Sequence, residues 1–301
     1  MEEKKKGGLT ELAPQCELVD YKFLPAYLKD NQFILKYYRA EWPLKQTFLS
    51  IFCIHNETLN IWTHLIGFFI FLALMACAGI VLQRGCSSAS SPPFLPCRSL
   101  GGVSPCAGGA AGSGGAIVAR WPSACHLLSC HSRRLQYVMR GMDCTGITVL
   151  IVTSFYPVVY YSFMCDRAFQ ALYLGLITAS GLAMAAVSLA PSFQGPEHRM
   201  LRAKVFFCMG LSGVVPIMHK VIRFGDRPAA LVTTGYEAAM GVLYALATVV
   251  YSSRMPERWM PGTFDILGHS HQLFHVLVVA AAYTHYLGAV VYLQWRDSEG
   301  C

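Results

Sequence analysis

Runs of apolar residues of membrane-spanning character dominate the pattern of hydrophobic and polar positions along the chain. A hydrocarbon core about 30 Å thick needs about 20 residues of helix. Five of the six runs reach that length, and the fourth is shorter and carries Gly and Pro. The runs are residues 61–82, 143–164, 168–190, 203–218, 229–252 and 269–293. They predict an all-α integral membrane protein.

A seventh helix would have to lie between the first two runs, in residues 86–125, and its sequence is atypical. Residues 101–122 are rich in Gly, Ser and Pro and are interrupted by Arg120 and Pro122. Small residues pack helices in membranes but drive insertion weakly, so this stretch is either a marginal span or a linker. We interpret residues from about 87 to 122 as the product of an altered reading frame or a mis-joined exon.

The predicted organisation is therefore a seven-helix bundle with an atypical second helix. An N-terminal segment of residues 1–43 precedes a transmembrane domain of residues 44–296. That domain contains the insert at about 86–122, and residues 297–301 form a short tail. Residues 44–55 predict a short amphipathic helix lying at the membrane interface.

Composition and charge placement agree with this interpretation. The chain is 54% hydrophobic and 14% charged, whereas soluble domains carry about 25% charged residues. With the N-terminus in the cytosol, 16 Lys and Arg residues fall inside and seven outside, as the positive-inside rule favours. The net charge of +7 is too diffuse for a nucleic-acid-binding surface. We expect a multi-pass protein of the plasma membrane or an endomembrane.

Histidines at the ends of the runs are the candidate chemistry. His271 and His275 are four residues apart and share one helix face, an arrangement typical of metal ligands. His126 ends the doubtful second span and Asp143 opens the third, so the topology brings all four groups to the cytosolic level. Three imidazoles with an open fourth position are typical of catalytic zinc, beside which an Asp can hold or deprotonate a water.

Each of these residues also has a simpler interpretation. The histidines could be interfacial groups bonded to backbone, and Asp143 could be the N-cap of its helix. Cys130 shares a helix face with His126 and is an alternative ligand. His131 and His269 are spare histidines that could be mistaken for ligands, and His64 and Glu57 near the first span could be polar packing groups.

Several motifs together resemble the progestin and adipoQ receptor family, which includes adiponectin receptors and haemolysin III-like proteins. They are ETLNIWTH at residues 57–64, GLSGVVP at 210–216, PER at 256–258 and FDILGHSHQLFH at 264–275. Residues 20–39 resemble the plant heptahelical branch most closely. The resemblance covers roughly residues 17–85 and 123–296.

The resemblance implies seven helices, a cytosolic N-terminus and an intramembrane zinc ion. The zinc ligands of the family fall on His126, His271 and His275, and its water-holding aspartate falls on Asp143. The family usually has a Ser four residues before the first ligand, where this chain has Pro122, and the nearest hydroxyl is Ser123. This departure bears on whether the second span can bring His126 to the other ligands.

The resemblance also implies lipid signalling, with zinc-dependent, ceramidase-like amide hydrolysis in some members. We therefore expect a zinc-dependent lipid amidase in which Asp143 is catalytic. The alternative is a receptor with structural zinc and no turnover, and a third interpretation is a non-functional variant. Expected partners are membrane lipids, a small lipid or hormone ligand, and cytosolic signalling proteins that contact residues 1–43.

Overall fold

The structure is a computed structural model that describes residues 17–87 and 123–300. Helices dominate this part of the chain, and six stretches of helix are long and apolar enough to cross a membrane, with α6 and α7 together forming one. The predicted all-α membrane bundle is confirmed. The helices are α1 Leu44–Leu49, α2 Thr58–Ser87, α3 (described over 123–128), α4 Arg133–Ser162, α5 Arg167–Ser188, α6 Arg199–Leu211, α7 Val214–Phe224, α8 Pro228–Ser253 and α9 Ser270–Glu299.

Large apolar side chains cover the outward faces of these helices. Ile222 is 79% exposed, Leu182 70% and Val242 67%. Exposed apolar surface of this extent is unfavourable in water, so these faces are the lipid-contacting surface. The atypical residues 88–122 lie outside the described part of the chain, and α3 is described over residues 123–128.

Helix α4 begins at Arg133, ten residues before the expected start of the third span. The Ser132 side chain accepts from the Leu135 amide and caps it. Asp143 is thus inside the helix, and the N-cap interpretation of this residue is wrong. The first turns of α4 are polar but remain helical because their side chains form tertiary hydrogen bonds. Gln136 donates to the Tyr27 carbonyl, and Arg140 donates to the Gln194 carbonyl.

The predicted interfacial helix is shorter than residues 44–55. Helix α1 ends at Leu49 and a 3-10 turn follows over Ser50–Phe52. Its apolar side chains point outward, with Phe48 54% and Phe52 80% exposed. The shortening follows from local competition for backbone groups, because the His55 ring bonds the Ser50 carbonyl at 3.2 Å.

Residues 17–43 form a layer against one end of the bundle, here called the N-terminal layer. It has a small core of Leu24, Ile34 and Tyr38. Two bonds fasten it to the segment before α9: the Asn31 amide donates to Glu257 at 3.0 Å, and the Leu35 amide donates to Asp265 at 2.7 Å. The layer therefore lies beside the N-terminus of α9, where the candidate histidines begin.

A buried polar cluster lies near the opposite end of the bundle. The Lys220 ammonium on α7 contacts Glu237 of α8 at 2.6 Å, Thr233 at 3.1 Å and the Tyr292 hydroxyl of α9 at 2.8 Å. The Tyr292 hydroxyl also contacts Ser162 at the end of α4. One cluster thus connects four helices.

Candidate metal centre

Four imidazoles from three helices meet at the end of the bundle that the N-terminal layer covers. His64 lies on α2, His126 on α3, and His271 and His275 on α9. Ring centroids are 4.4 Å apart for His271–His275, 5.0 Å for His126–His275 and 5.1 Å for His126–His271. His64 is 4.1 Å from His275 and 5.5 Å from His126. The helical spacing thus places His271 and His275 together, and both lie near His126.

The tightest grouping of ligand atoms contains His64. Nitrogens of His64, His126 and His275 lie within 4.8 Å of one another, and the Nε2 atoms of His64 and His275 are 3.3 Å apart. His271 adjoins this group from the next turn of α9. Two trios of imidazoles therefore share His126 and His275.

Glu257 fixes the start of α9 and so the position of His271. This fully buried carboxylate accepts from the Ser270 amide at 2.7 Å and from the Ser270 hydroxyl. A carboxylate at a helix N-terminus satisfies a free amide and complements the helix dipole. Just before it, Gly268 adopts a φ of +85°, a left-handed conformation that favours glycine. Part of the FDILGHSHQLFH motif, Gly268 and Ser270, therefore determines where α9 begins.

Arg39 of the N-terminal layer holds the end of α3 that carries His126. Its guanidinium donates to the carbonyls of His126 at 3.0 Å and Leu127 at 3.2 Å. These carbonyls lie in the last turn of the helix, where partners are lacking within the helix itself. His126 is therefore held by the N-terminal layer as well as by its own helix.

The two nitrogens of the His126 ring have different surroundings. Nδ1 lies 2.9 Å from the Glu57 carboxylate. Nε2 is buried, and no hydrogen-bond partner for it is found among the described residues. A buried nitrogen without a partner is costly unless it binds something, so His126 Nε2 fits a metal ligand.

A cavity of about 170 Å³ opens beside the imidazoles. His126, His271, Asp143 and Glu57 line it together with side chains of the N-terminal layer, including Asp30 and Arg39. Asp143 therefore faces the same space as two of the predicted ligands. The volume is sufficient for several water molecules or for the polar part of a lipid.

Charged groups in the cavity wall shift one another's pKa values. Burial raises the pKa of the Asp30 carboxyl, but the guanidinium groups of Arg140, Arg199 and Arg254 bring it below its usual value. Burial likewise raises the pKa of Glu57, and the hydrogen bond with His126 overcomes this and lowers it. Both groups are carboxylates near neutral pH.

The alternative ligands predicted from the sequence, and Ser123, form hydrogen bonds to backbone carbonyls. His131 Nδ1 contacts the Trp42 carbonyl at 2.8 Å, His269 Nε2 contacts the Asn56 carbonyl at 3.3 Å, and the Cys130 thiol donates to the Leu127 carbonyl. The Ser123 hydroxyl donates to the Ile61 carbonyl at 3.4 Å. Glu57 and His64, interpreted as packing groups, instead contact His126 and His275. Their spacing of seven residues, with Glu57 at the residue before α2 and His64 two turns later, is the signal that the sequence offers.

Comparison with known proteins gives consistent matches. A model of the haemolysin-III-related family matches residues 52–286. Heptahelical transmembrane protein 4 of Arabidopsis thaliana is 49% identical over 95% of this chain and 90% of its own length. Heptahelical transmembrane protein ADIPOR3 of Oryza sativa subsp. japonica is 44% identical over 100% of this chain and 96% of its length. The adiponectin receptor protein of Drosophila melanogaster is 39% identical over 89% and 58%.

The first alignment also reveals a difference in length. It runs over 348 positions although it covers 95% of a chain of 301 residues. The Arabidopsis protein therefore contains residues, within the aligned range, that this chain lacks.

Proposed function

This chain belongs to the haemolysin-III-related family of adiponectin-receptor-like heptahelical membrane proteins, and from that premise we propose that it is a zinc-dependent lipid amidase with a role in lipid signalling. His126, His271 and His275 hold the zinc ion, and Asp143 is the catalytic carboxylate. The substrate class is a membrane lipid with an amide bond, such as a ceramide. The N-terminal layer lies on the cytosolic side.

One observation carries this proposal: His126 Nε2 is buried without a described partner, beside three other imidazoles and a cavity that Asp143 also lines. We assign His271 as the third ligand because it lines that cavity together with His126 and Asp143. Neither His64 nor His275 is among the residues that line it. His275 belongs to the ligand set because its ring centroid lies 4.4 Å from that of His271 and 5.0 Å from that of His126. A hydrolytic centre must be open to water and substrate on one side.

Each group at the centre has a separate role in amide hydrolysis. Zinc held by His126, His271 and His275 would supply a Lewis acid for the amide carbonyl and would lower the pKa of water. Asp143 accepts a proton from the attacking water and returns it to the leaving amine as the carbon–nitrogen bond breaks. One water is consumed, and a fatty acid and an amine are formed. The apolar helix faces hold the acyl chain within the bilayer.

The test measures zinc and turnover on the same purified protein. The full chain in lipid nanodiscs is assayed for metal by mass spectrometry and for amine release from a panel of ceramides and other lipid amides. We expect about one zinc ion per chain and saturable turnover that stops when the metal is removed.

Asp143→Asn should retain zinc and lose turnover, because it removes the proton acceptor and no ligand. Asp166→Asn is the matched control, since Asp166 contacts Arg223 at 2.8 Å outside the candidate centre, and it should leave turnover unchanged. Full turnover in Asp143→Asn would remove Asp143 from the mechanism. Absence of zinc in the unmutated protein would remove the proposal.

The second candidate function is a receptor with structural zinc and no turnover, which acts through cytosolic partners. The contribution of the N-terminal layer to the cavity wall favours it, since a ligand there would touch Asp30 or Arg39 directly. Saturable lipid binding without product, in protein that holds zinc, would select this function over the amidase.

A further inference from the structure

We infer that the start of α2 and the residue before it orient the zinc ligands, with Glu57 holding His126 and Thr63 holding His275, so that Nε2 of each ring faces the ion. The inference rests on the proposed zinc site. Both residues lie outside the ligand set, and they act as positioning residues.

The contact between Glu57 and His126 determines which ring nitrogen carries hydrogen. A carboxylate oxygen of Glu57 can only accept, so His126 Nδ1, 2.9 Å away, must donate. The lone pair of a neutral imidazole is then left on Nε2. Nε2 is the buried atom for which no partner is found in the described part of the chain.

Thr63 does the same for His275. The Thr63 hydroxyl has one hydrogen, which it donates to the Asn60 carbonyl at 3.0 Å. Its oxygen is then the acceptor for His275 Nδ1, 3.4 Å away. His275 consequently carries its lone pair on Nε2, as His126 does.

The local sequence explains why one helix face can serve two ligands. Glu57 immediately precedes α2, and Asn60 and Thr63 follow at intervals of three residues, so the three side chains lie along one side of the helix start. The Asn60 side chain donates to the Glu57 carboxylate at 2.7 Å and fixes its direction. His55 accepts from the Glu57 amide at 3.1 Å, which sets the start of the helix. The ETLNIWTH motif therefore contains the residues that orient the two ligand histidines.

Hydrogen-bond partners of ligand histidines fix the ring orientation, and their loss lowers metal affinity by about 10–100-fold. We expect Glu57→Gln, which keeps the shape of the side chain but removes the charge, to raise the zinc dissociation constant within this range. Thr63→Val should cause a smaller rise because its bond is longer. Thr63→Ser keeps the hydroxyl and should bind zinc as the unmutated chain does.

The measurement is a competition titration of zinc between the purified full chain and a fluorescent chelator. Thermal unfolding in excess chelator is recorded for each variant. Glu41→Gln is the matched control, since Glu41 contacts the exposed Tyr27 hydroxyl and is not among the cavity-lining residues. A purely structural role of Glu57 would lower the unfolding temperature and leave the zinc affinity of the folded protein unchanged.

The outcomes separate the two proposals. If the unmutated chain binds zinc and Glu57→Gln binds it equally well, the inference is wrong and the proposed function stands. If the unmutated chain binds no zinc, both are wrong. If Glu57→Gln does not fold, the pair Thr63→Val and Thr63→Ser decides, and equal affinities in that pair overturn the inference.

Discussion

His64 and His271 are rivals for the third ligand position, since both rings lie beside His275. The Nε2 atoms of His64 and His275 are 3.3 Å apart, so a protonated His64 Nε2 would compete with zinc for the lone pair of His275. His271 is on the cavity side. We expect His271→Ala to lose zinc and His64→Ala to retain it, as measured by metal content per chain. The reverse pattern would move the third ligand from α9 to α2.

His55 should make stability depend on pH. Burial lowers its pKa from 6.5 to about 4, and in the neutral form both ring nitrogens have backbone partners. The unfolded chain binds a proton near pH 6.5 whereas the folded chain does not, so stability is fully present above that pH and falls as the pH drops towards 4. Between pH 7.5 and pH 5 we expect a loss of about 2 kcal/mol from this group.

The variant His55→Gln isolates this contribution from those of other histidines. It should be less stable than the unmutated chain at pH 7.5, and its unfolding temperature in detergent should fall less on acidification. An equal fall in both proteins would show that His55 does not carry the effect.

At the scale of elements, the apolar runs were sufficient to predict the helices but not their ends. The six runs all correspond to helices, yet α4 extends three turns before Asp143 because Gln136 and Arg140 have tertiary partners. Such partners lie far away in sequence and leave no periodic signal. The candidate metal centre was likewise predictable only where local spacing determines it. Spacing brought His271 and His275 onto one face, whereas the roles of Glu57 and Thr63 depend on which helix packs against α2.

The sequence does not predict the Lys220–Glu237 pair, because the apolar pattern places Lys220 among the seven Lys and Arg residues outside the bilayer. In the structure it is fully buried and connects α7 to α8 and α9. Removing one partner of a buried pair leaves an uncompensated charge and costs about 3–5 kcal/mol. We therefore expect Glu237→Leu and Lys220→Met each to lower the unfolding temperature strongly.

The double variant Lys220→Met/Glu237→Leu provides the control. Replacing a whole buried pair by apolar residues is often neutral, so it should be more stable than either single variant. A double variant whose loss equals the sum of the single losses would show that the two side chains do not act as a pair.

At the scale of the whole molecule, the N-terminal layer and the bundle form one structure around the cavity. Asn31 connects them through Glu257, and its loss leaves a buried carboxylate with one partner fewer, at a cost of about 1–3 kcal/mol. Asn31→Ala should therefore expose the layer to trypsin at Lys22, Lys29 and Lys36. Phe23→Ala, at a side chain 70% exposed on the same layer, should leave the cleavage rate unchanged and is the control.

Because the N-terminal layer supplies part of the cavity wall, occupancy of the cavity and ordering of the layer are thermodynamically linked. Any molecule that binds only when the wall is in place favours the closed layer by mass action. Reciprocity then requires that anything which stabilises the closed layer tightens binding in the cavity by the same factor. Backbone amides of residues 17–43 would serve as a reporter, with slower hydrogen exchange in the presence of lipid. A molecule that binds only the N-terminal layer would thus change the affinity of the cavity without entering it.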